Sequence, residues 1–511
     1  MAPRGYPVRI EPTVNATLLP NAPQATRTYD AAKPGRATAG WRRPWTSARS
    51  ETYLALPWLR ASSHDLVRND PHSAKIIGTL ATDLVGTGIM PKANTGNKRL
   101  NKKVDEIAKA FFANMDADGV TANYAGFQLL AARSFLESGE AILRRYIRPS
   151  RMGLKVPLQF SLLESEFLDN LYNTALPSGH RVIQGIEFDA DNIRSRYHLF
   201  KEHPGDTYMG SIEGSFERIP VLAEDIRIIY EPQRPGQIRG VPWITPILLR
   251  AKQLSDYEDA ERQRKQIESS IPAIVRSQEQ SGEASDPGIT SLFPTVTDVD
   301  GHIIERVEPG MIAYLRNATE VDFPKPADAM GYGPFKRSEL QSMAAGARST
   351  YELVSGDLSQ TNFSSIQAGL LTYRGMIDVI RATMIVPRLE WIWGCMIDMA
   401  IVAGSLPENT PKGVEHHAPP WLPVDPQKQA EANLIMIRSG EKSLREVVMA
   451  RGKDFDDHLD EIEAANKALD RRKMILDSDP RRVDKRGVEQ QNAANVKGNA
   501  PPPSEDDPDQ A

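Results

Sequence analysis

Ile366, Leu370, Tyr373, Ile377, Ile380 and Met384 follow one another at alternating steps of four and three residues. That rhythm keeps one face of a helix apolar over about five turns, so a long helix with a stripe that other elements must cover is expected here. Pro387 should kink it, because proline removes an intrahelical hydrogen bond and its ring clashes with the preceding turn. The segment from Trp391 to Leu406 is shorter than the about 20 apolar residues a membrane span needs, contains Gly394 and Asp398, and follows Arg388 and Glu390. A buried core helix, with no stable membrane insertion, is the reading.

With 511 residues, 40% of them hydrophobic, the chain exceeds the roughly 250 to 300 residues at which a single core stops growing, so several packed regions are expected. Before the stripe comes the polar stretch Ser355-Gly356-Asp357-Leu358-Ser359-Gln360-Thr361-Asn362, preceded by a helix from about Pro334 to Val354. Another helix should open at Thr245-Pro246, a capping residue with proline at the first position, and run to about Ser269. Glu258, Asp259, Glu261, Arg262, Arg264, Lys265 and Glu268 make its second half a solvated face with i,i+4 pairs. Between these helices residues 270 to 325 become β-rich. Turn signals at Asp300-Gly301 and Pro309-Gly310 set off Ile303 to Val307 and Met311 to Leu315, which predicts a hairpin.

Toward the N-terminus the pattern is helical from about Trp58 to Leu143, with a turn at Asn69-Asp70-Pro71 and a further helix from about Tyr124 to Glu137. Between Pro157 and Tyr230 the period falls to two. Ile186 and Phe188 alternate with Glu187 and Asp189, Tyr197 and Leu199 follow a turn, and Ile226, Ile228 and Tyr230 make another strand. A small antiparallel sheet packed on helices is predicted. Past a proline-rich linker, Gly404 to Pro426, come three short helices: one capped by Asp425 and stopped at Gly440, one opened by the capping box Ser443 to Glu446 and stopped at Gly452, and one from about Asp456 to Met474. The fold class is α+β, mainly α. Residues 1 to about 45 are proline-rich and basic, Pro501 to Ala511 is acidic, and neither holds enough apolar surface to offset its ordering entropy.

Chemistry is sparse. A formal net charge of -5 argues against tight nucleic-acid binding through bulk charge. One cysteine, Cys395, excludes an intramolecular disulfide and a multi-cysteine metal site, and it lies in the buried-looking helix. No phosphate-binding P-loop occurs, and Val85-Gly86-Thr87-Gly88 reads as a helix stop followed by a turn. Asn114 to Gly119 resembles the first half of a calcium loop, but its twelfth position is Ala125 instead of glutamate, so a turn between helices is expected. His416-His417 lacks a third ligand at recognisable spacing and reads as exposed loop histidines. Glu164, Glu166 and Asp169, or Asp298 and Asp300, could serve acid-base or metal chemistry, yet no motif adds a nucleophile or a lysine, and solvated carboxylates are expected. No cofactor is implied.

Several motifs recur in order: His64-Asp65-Leu66-Val67-Arg68-Asn69-Asp70-Pro71, Ser138-Gly139-Glu140, Gln184-Gly185-Ile186-Glu187, Arg234-Pro235-Gly236-Gln237-Ile238-Arg239-Gly240-Val241-Pro242, Asp357-Leu358-Ser359-Gln360-Thr361-Asn362-Phe363-Ser364-Ser365 and Val424-Asp425-Pro426. In these, from about Trp58 to Asp470, the chain resembles the lambda-type portal proteins of tailed phages.

The resemblance implies a portal-type fold and no catalytic residues. It implies a homo-oligomeric ring, usually dodecameric, at one capsid vertex of the virion, assembled in the host cytoplasm. Double-stranded DNA passes its axis without sequence specificity. Mapped on this sequence, it implies a flexible arm (1–57), a wing (58–242 and the kinked helix 366–405), stem helices (243–269 and 334–354), a β-rich clip (270–333), a tunnel loop (355–365), a linker (406–424), a helical crown (425–475) and a disordered tail (476–511). Asp357, Ser359, Gln360, Thr361, Asn362 and Ser364 would face DNA, with Gln360 and Asn362 nearest. Asp300, Gly301, His302, Glu305, Arg306, Glu308, Pro309 and Gly310 of the clip would dock the terminase large subunit and later the neck and head-completion proteins. Glu258, Arg262 and Lys265 would mark the stem. Capsid and scaffold proteins are further expected partners. Two rival readings stay open: a metal-dependent nucleic-acid processing enzyme using the scattered carboxylates, and a capsid or scaffold protein without a channel.

Overall fold

Asp70 and Pro71 turn the chain between its first two long helices, α1 (Ala48–Asn69) and α2 (Pro71–Val85). The Asp70 carboxylate accepts from the Ser73 N–H at 2.7 Å and Pro71 takes the first helical position. The computed structural model describes residues 36–41, 44–206, 216–270, 331–359, 362–423, 425–474 and 476, and between 270 and 331 the strand residues 274–276, 295–297, 303–305, 313–314 and 320–322. Residues 36–38 form a short 3-10 turn within a separate N-terminal unit that ends at Ser47. α1 begins well before Trp58, so the end of the expected arm is helical despite Pro57 inside it. The carbonyl that proline frees, that of Tyr53, accepts from Asn170 Nδ2 instead.

Strand β1 (Met90–Ala93) leads to α3 (Lys98–Phe112) and α4 (Tyr124–Ser138), capped by Asn97 and Asn123. In the turn between them Asp116 accepts from Thr121 N, Thr121 Oγ1 and Asp118 N, so the half-calcium pattern is a carboxylate-closed loop.

The expected single sheet is two. β2 (Glu140–Ile147), β3 (Leu158–Leu163) and β9 (Ile226–Tyr230) form one in the order β3-β2-β9; β4 (Thr174–Ala175), β5 (Arg181–Ile183), β6 (Ile186–Phe188), β7 (Arg194–Phe200) and β8 (Arg218–Leu222) form a five-stranded meander. All these pairings are antiparallel. Alternation puts Glu187 outward, yet it is buried, at 2.6 Å from His180 Nδ1 and 2.9 Å from His198 Nε2. Burial pushes its carboxyl up, but hydrogen bonds with both histidines, and the charges of His198 and Arg196, outweigh that and hold it below its ordinary 4.5. A carboxyl that titrates lower folded than unfolded stabilises fully above the unfolded value and loses that contribution as pH falls through the folded one. Urea midpoints on either side of pH 4.5 should therefore fall less steeply on acidification for Glu187→Gln than for the parent.

Thr245 does not cap the next helix: its Oγ1 donates to the Pro242 carbonyl at 2.7 Å, and a 3-10 turn precedes α5 (Leu248–Ser270). Strands β10 (Ile274–Arg276), β11 (Thr295–Thr297), β12 (Ile303–Glu305), β13 (Ala313–Tyr314) and β14 (Glu320–Asp322) follow. Among the described residues β12 pairs with β11, whereas β13 pairs in parallel with β10, so β12 and β13 are not paired with each other as the expected hairpin requires. The predicted helix 334–354 is also two, α6 (Tyr332–Gly346) and α7 (Tyr351–Ser355). Arg348 between them adopts φ +55°, held by Glu231 at 2.8 Å and stacked over Trp243, and Thr350 caps α7.

The stripe becomes α8 (Phe363–Ile380), a π-helical segment Arg381–Ile385 and α9 (Val386–Val402). Pro387 cannot donate to the Thr383 carbonyl, and Arg388 Nη1 reaches that oxygen at 3.4 Å while the chain widens into the π-helical turn. Tyr373, Ile377 and Ile380 are buried, and Ile366, Leu370 and Met384 at the ends are half-buried. Arg381 ties this element to α2, donating to the carbonyls of Leu84 and Asp83, and Tyr373 donates to the Asp83 carboxylate at 2.7 Å. α9 carries buried Ile392, Trp393, Cys395, Met396, Ile397 and Ala400. No helix among the described residues is long and apolar enough to cross a membrane.

The segment read as a linker contains β15 (Val414–His417), paired with β1, and Trp421, which packs under Arg374 and Arg381. His416 and His417 are thus half-buried strand residues, not exposed loop residues. Burial pushes His416 down to about 4, so it is neutral at pH 7. α10 (Pro426–Arg438), α11 (Leu444–Met449) and α12 (Phe455–Arg472) close the described chain with the expected Asp425 cap and Ser443–Glu446 capping box. Two hydrophobic clusters result, a large one over α1, α2, α4, α8, α9 and the β2 sheet, and a smaller one on the five-stranded sheet. The architecture is mixed helix and sheet, mainly helical.

Candidate nucleic-acid interface

Asp357 is the charged residue of the polar loop between α7 and α8, and its carboxylate is already engaged. It accepts from Ser359 N at 2.9 Å and Tyr351 OH at 3.1 Å, bonds that hold it below the usual carboxylate range. Asn362 caps α8, its Oδ1 accepting from Ser365 N at 2.8 Å, and its Nδ2 group remains as a donor. Asn362, Ser359 and Ser364 are exposed. Gln360 and Thr361 lie outside the described residues. The N-cap of α8 is thus Asn362, whose position immediately before the apolar stripe signals it in the sequence.

α5 and α6 pack side by side through Tyr257, which stacks on Tyr332 and meets Phe335 edge-on, its ring 4.9 Å away. Glu258 reaches across to Lys336 at 2.6 Å, and Arg250 to Glu339 at 2.7 Å. Arg262 pairs with Asp259 at 3.1 Å, and Lys265 is exposed. Along α5, Asp256, Glu258, Asp259, Glu261 and Glu268 balance Arg250, Lys252, Arg262, Arg264 and Lys265. Such a surface has no net charge with which to grip a polyanion. Asp300, Gly301, His302, Arg306, Glu308, Pro309 and Gly310 lie outside the described residues, and Glu305 ends β12 opposite Thr295.

The described carboxylates considered for catalysis have other partners. Asp169 is buried and paired with Arg218 at 2.7 Å, so it is not solvated. Glu164 and Glu166 do meet a residue that spacing did not disclose, His203, with ligand atoms within 4.8 Å of one another. His203 Nδ1 accepts from Gly205 N at 3.1 Å, which places the proton on Nε2, 3.1 Å from Glu164. That tautomer leaves no lone pair on Nε2 to offer a metal there. Asp298 and Asp300 lie outside the described residues.

The motifs from Ser138 to Val241 converge on one buried joint. Arg239 is fully buried; its Nε lies 2.9 Å from Glu140, its Nη1 donates to the Leu168 and Gln184 carbonyls, and its Nη2 to that of Ser165, each at 3.1 Å. Arg60 adds a second cation, 2.9 Å from Glu140, and its Nε donates to the Ser138 carbonyl. Burial alone would raise the Glu140 carboxyl, but these two charges and the Gly240 N–H leave it below its ordinary value. Gly139 adopts φ +84°, and a Cβ on Gly240 would lie 1.9 Å from the Gly139 carbonyl oxygen, so the two segments cross with no room for a side chain. Spacing alone could not reveal this joint.

Residues 34–381 match the sequence family described as "Phage portal protein, lambda family". The chain belongs to that family. A curated relative from Halomonas phage phiHAP-1, described as "Probable portal protein", is 25% identical over 486 residues, covering 90% of this chain and 88% of its own. Among solved structures, this portal-family chain is similar to one described as "Neck of native GTA particle computed with C12 symmetry" (TM-score 0.42, 12% identity, 81% of this chain and 96% of that chain). Another is described as "Virion of native gene transfer agent (GTA) particle" (TM-score 0.39, 13% identity, with the same coverage of 81% and 96%).

Proposed function

We propose that the chain is one subunit of a closed, dodecameric ring at a capsid vertex of the virion, assembled in the host cytoplasm. Double-stranded DNA enters and leaves through the ring. Membership of the portal family, matched over residues 34–381, is the observation that carries this reading. In it, α5 and α6 are the stem, the strands between them the clip that docks the terminase large subunit and later the neck proteins, residues 355–365 the tunnel loop, and α10 to α12 the crown. Capsid and scaffold proteins meet the outside of the ring. The role is structural and not enzymatic.

The charge pattern suits a conduit. Each phosphate neutralised by lysine or arginine strengthens sequence-independent binding by releasing counterions, so a basic lining would hold DNA rather than pass it. Neutral Ser359, Asn362 and Ser364, an engaged Asp357 and a charge-balanced α5 support transient phosphate contacts instead.

Negative-stain images of the purified protein should show closed rings with a central hole, and plasmid incubated with it and magnesium should stay intact. A compact monomer, or a closed assembly with a solid centre, would refute the ring. Nicked plasmid would favour the enzyme reading.

A further inference from the structure

Glu415 and His417 stand two residues apart on β15, and the two-residue period of a strand turns both to one face. Asp454, the N-cap of α12, comes to that face from a different part of the chain. A ring nitrogen of His417 and one carboxylate oxygen from each of Glu415 and Asp454 lie within 4.8 Å of one another.

Three observations set this cluster apart from a chance meeting of surface acids. Nε2 of His417 is enclosed and has no hydrogen-bond partner; Nε2 of His203 in the other cluster is likewise unpartnered, but its Nδ1 accepts from Gly205 N, which fixes the proton on Nε2. The carboxylates are only half used: Glu415 Oε1 accepts from Asn94 Nδ2 at 2.8 Å and Asp454 Oδ1 from Asp457 N at 2.9 Å. The surroundings keep an excess of negative charge, because Lys92 stands among Asp105, Asp454 and Asp457 and is already bonded to Asp457 at 2.5 Å.

We propose that Glu415, His417 and Asp454 form a divalent metal site, with zinc the fitting ion, that staples β15 to the start of α12. An imidazole nitrogen with two carboxylate oxygens suits a first-row transition ion better than magnesium or calcium, which prefer all-oxygen shells. Zinc bonds of about 2.0 to 2.2 Å set tetrahedral ligand atoms about 3.4 Å apart, a closure that side-chain torsions can supply from the observed spacing. Water would fill the fourth position. The staple answers a local weakness: α10 and α12 bury no residue and α11 buries only Val448, so polar contacts such as Lys92–Asp457 and Lys98–Asp456 hold this segment.

The test uses the full-length protein, stripped with chelator and titrated with zinc by calorimetry and with cobalt by visible absorption. One equivalent of zinc per chain is expected, with the intense visible bands of four-coordinate cobalt and slower amide exchange across residues 455–472. His417→Ala, Glu415→Gln and Asp454→Asn should each weaken binding about tenfold or more; Asp454→Asn retains a capping side chain and so tests the ion apart from the helix. Glu164→Gln should change nothing. Failure of the folded parent to take up zinc would overturn the site, as would unchanged affinity in both His417→Ala and Asp454→Asn, or binding of magnesium as tight as that of zinc.

Discussion

Arg239→Ala is expected to lower the stability of the protein by about 3–5 kcal/mol, because it leaves Glu140 buried with one of its two cations gone. The loss exceeds that of an ordinary hydrogen bond for a geometric reason. One guanidinium serves Glu140 and three backbone carbonyls at once, those of Leu168, Gln184 and Ser165, and each would lose this donor on truncation, Ser165 keeping only the Leu168 N–H. Arg239→Lys should be nearly as damaging, since an ammonium on a flexible stem cannot reproduce the planar fork. Glu140→Gln should also be severe, because Arg60 and Arg239 would then face each other in the interior without the carboxylate that pairs with both. Urea unfolding followed by circular dichroism reads all three. A midpoint for Arg239→Ala close to that of the parent would show that the joint contributes specificity but little stability. The joint immediately precedes α5, so its loss should also reach any assembly built on the α5–α6 pair.

The features legible in the sequence are those with a local cause. Asp70-Pro71, Asp425-Pro426, the Ser443–Glu446 box and the stops at Gly440 and Gly452 act within a turn of themselves, and each appears where expected. The stripe from Ile366 to Met384 is also a local period, and Pro387 marked its break, though the break takes the form of a π-helical segment upstream of the proline. The features that were not legible depend on partners far along the chain. Glu187 alternates like a surface residue and is buried because His180 and His198 receive it. β15 lies in a proline-rich run and is a strand because β1 supplies its hydrogen bonds. The break between α6 and α7 follows from Arg348 being held by Glu231 and Trp243, although Thr350 was a local cap signal that could have announced it.

The candidate site shows the same division. Asn362 before an apolar run is a readable N-cap, and the balanced charge of α5 can be counted from its letters. The Glu258–Lys336 pair cannot, because it depends on which faces of two helices separated by five strands come together. The motif from Arg234 to Pro242 was recognisable as a family signature without any indication that its arginine faces inward. A run of arginine, glutamine and glycines reads as polar loop by composition, and only the convergence of Glu140, Ser165, Leu168 and Gln184 makes burial of Arg239 tolerable.

Trp393→Ala should cost about 3–5 kcal/mol, the second large effect expected. Trp393 is 1% exposed and sits in the middle of α9, inside the larger hydrophobic cluster. Truncation removes the transfer energy of the largest side chain there and leaves a cavity that helices anchored at Asp83, Leu84 and Thr383 cannot readily close. Trp393→Phe separates volume from polarity. The indole Nε1 is enclosed and makes no hydrogen bond among the described residues, and a buried unsatisfied donor costs about 1–3 kcal/mol, so removing it offsets much of the lost packing. The phenylalanine variant should then unfold within about 1.5 kcal/mol of the parent. A phenylalanine variant as unstable as the alanine one would mean that the N–H is satisfied in the folded protein, and an alanine variant near the parent would mean that α9 does not sit at the centre of the core.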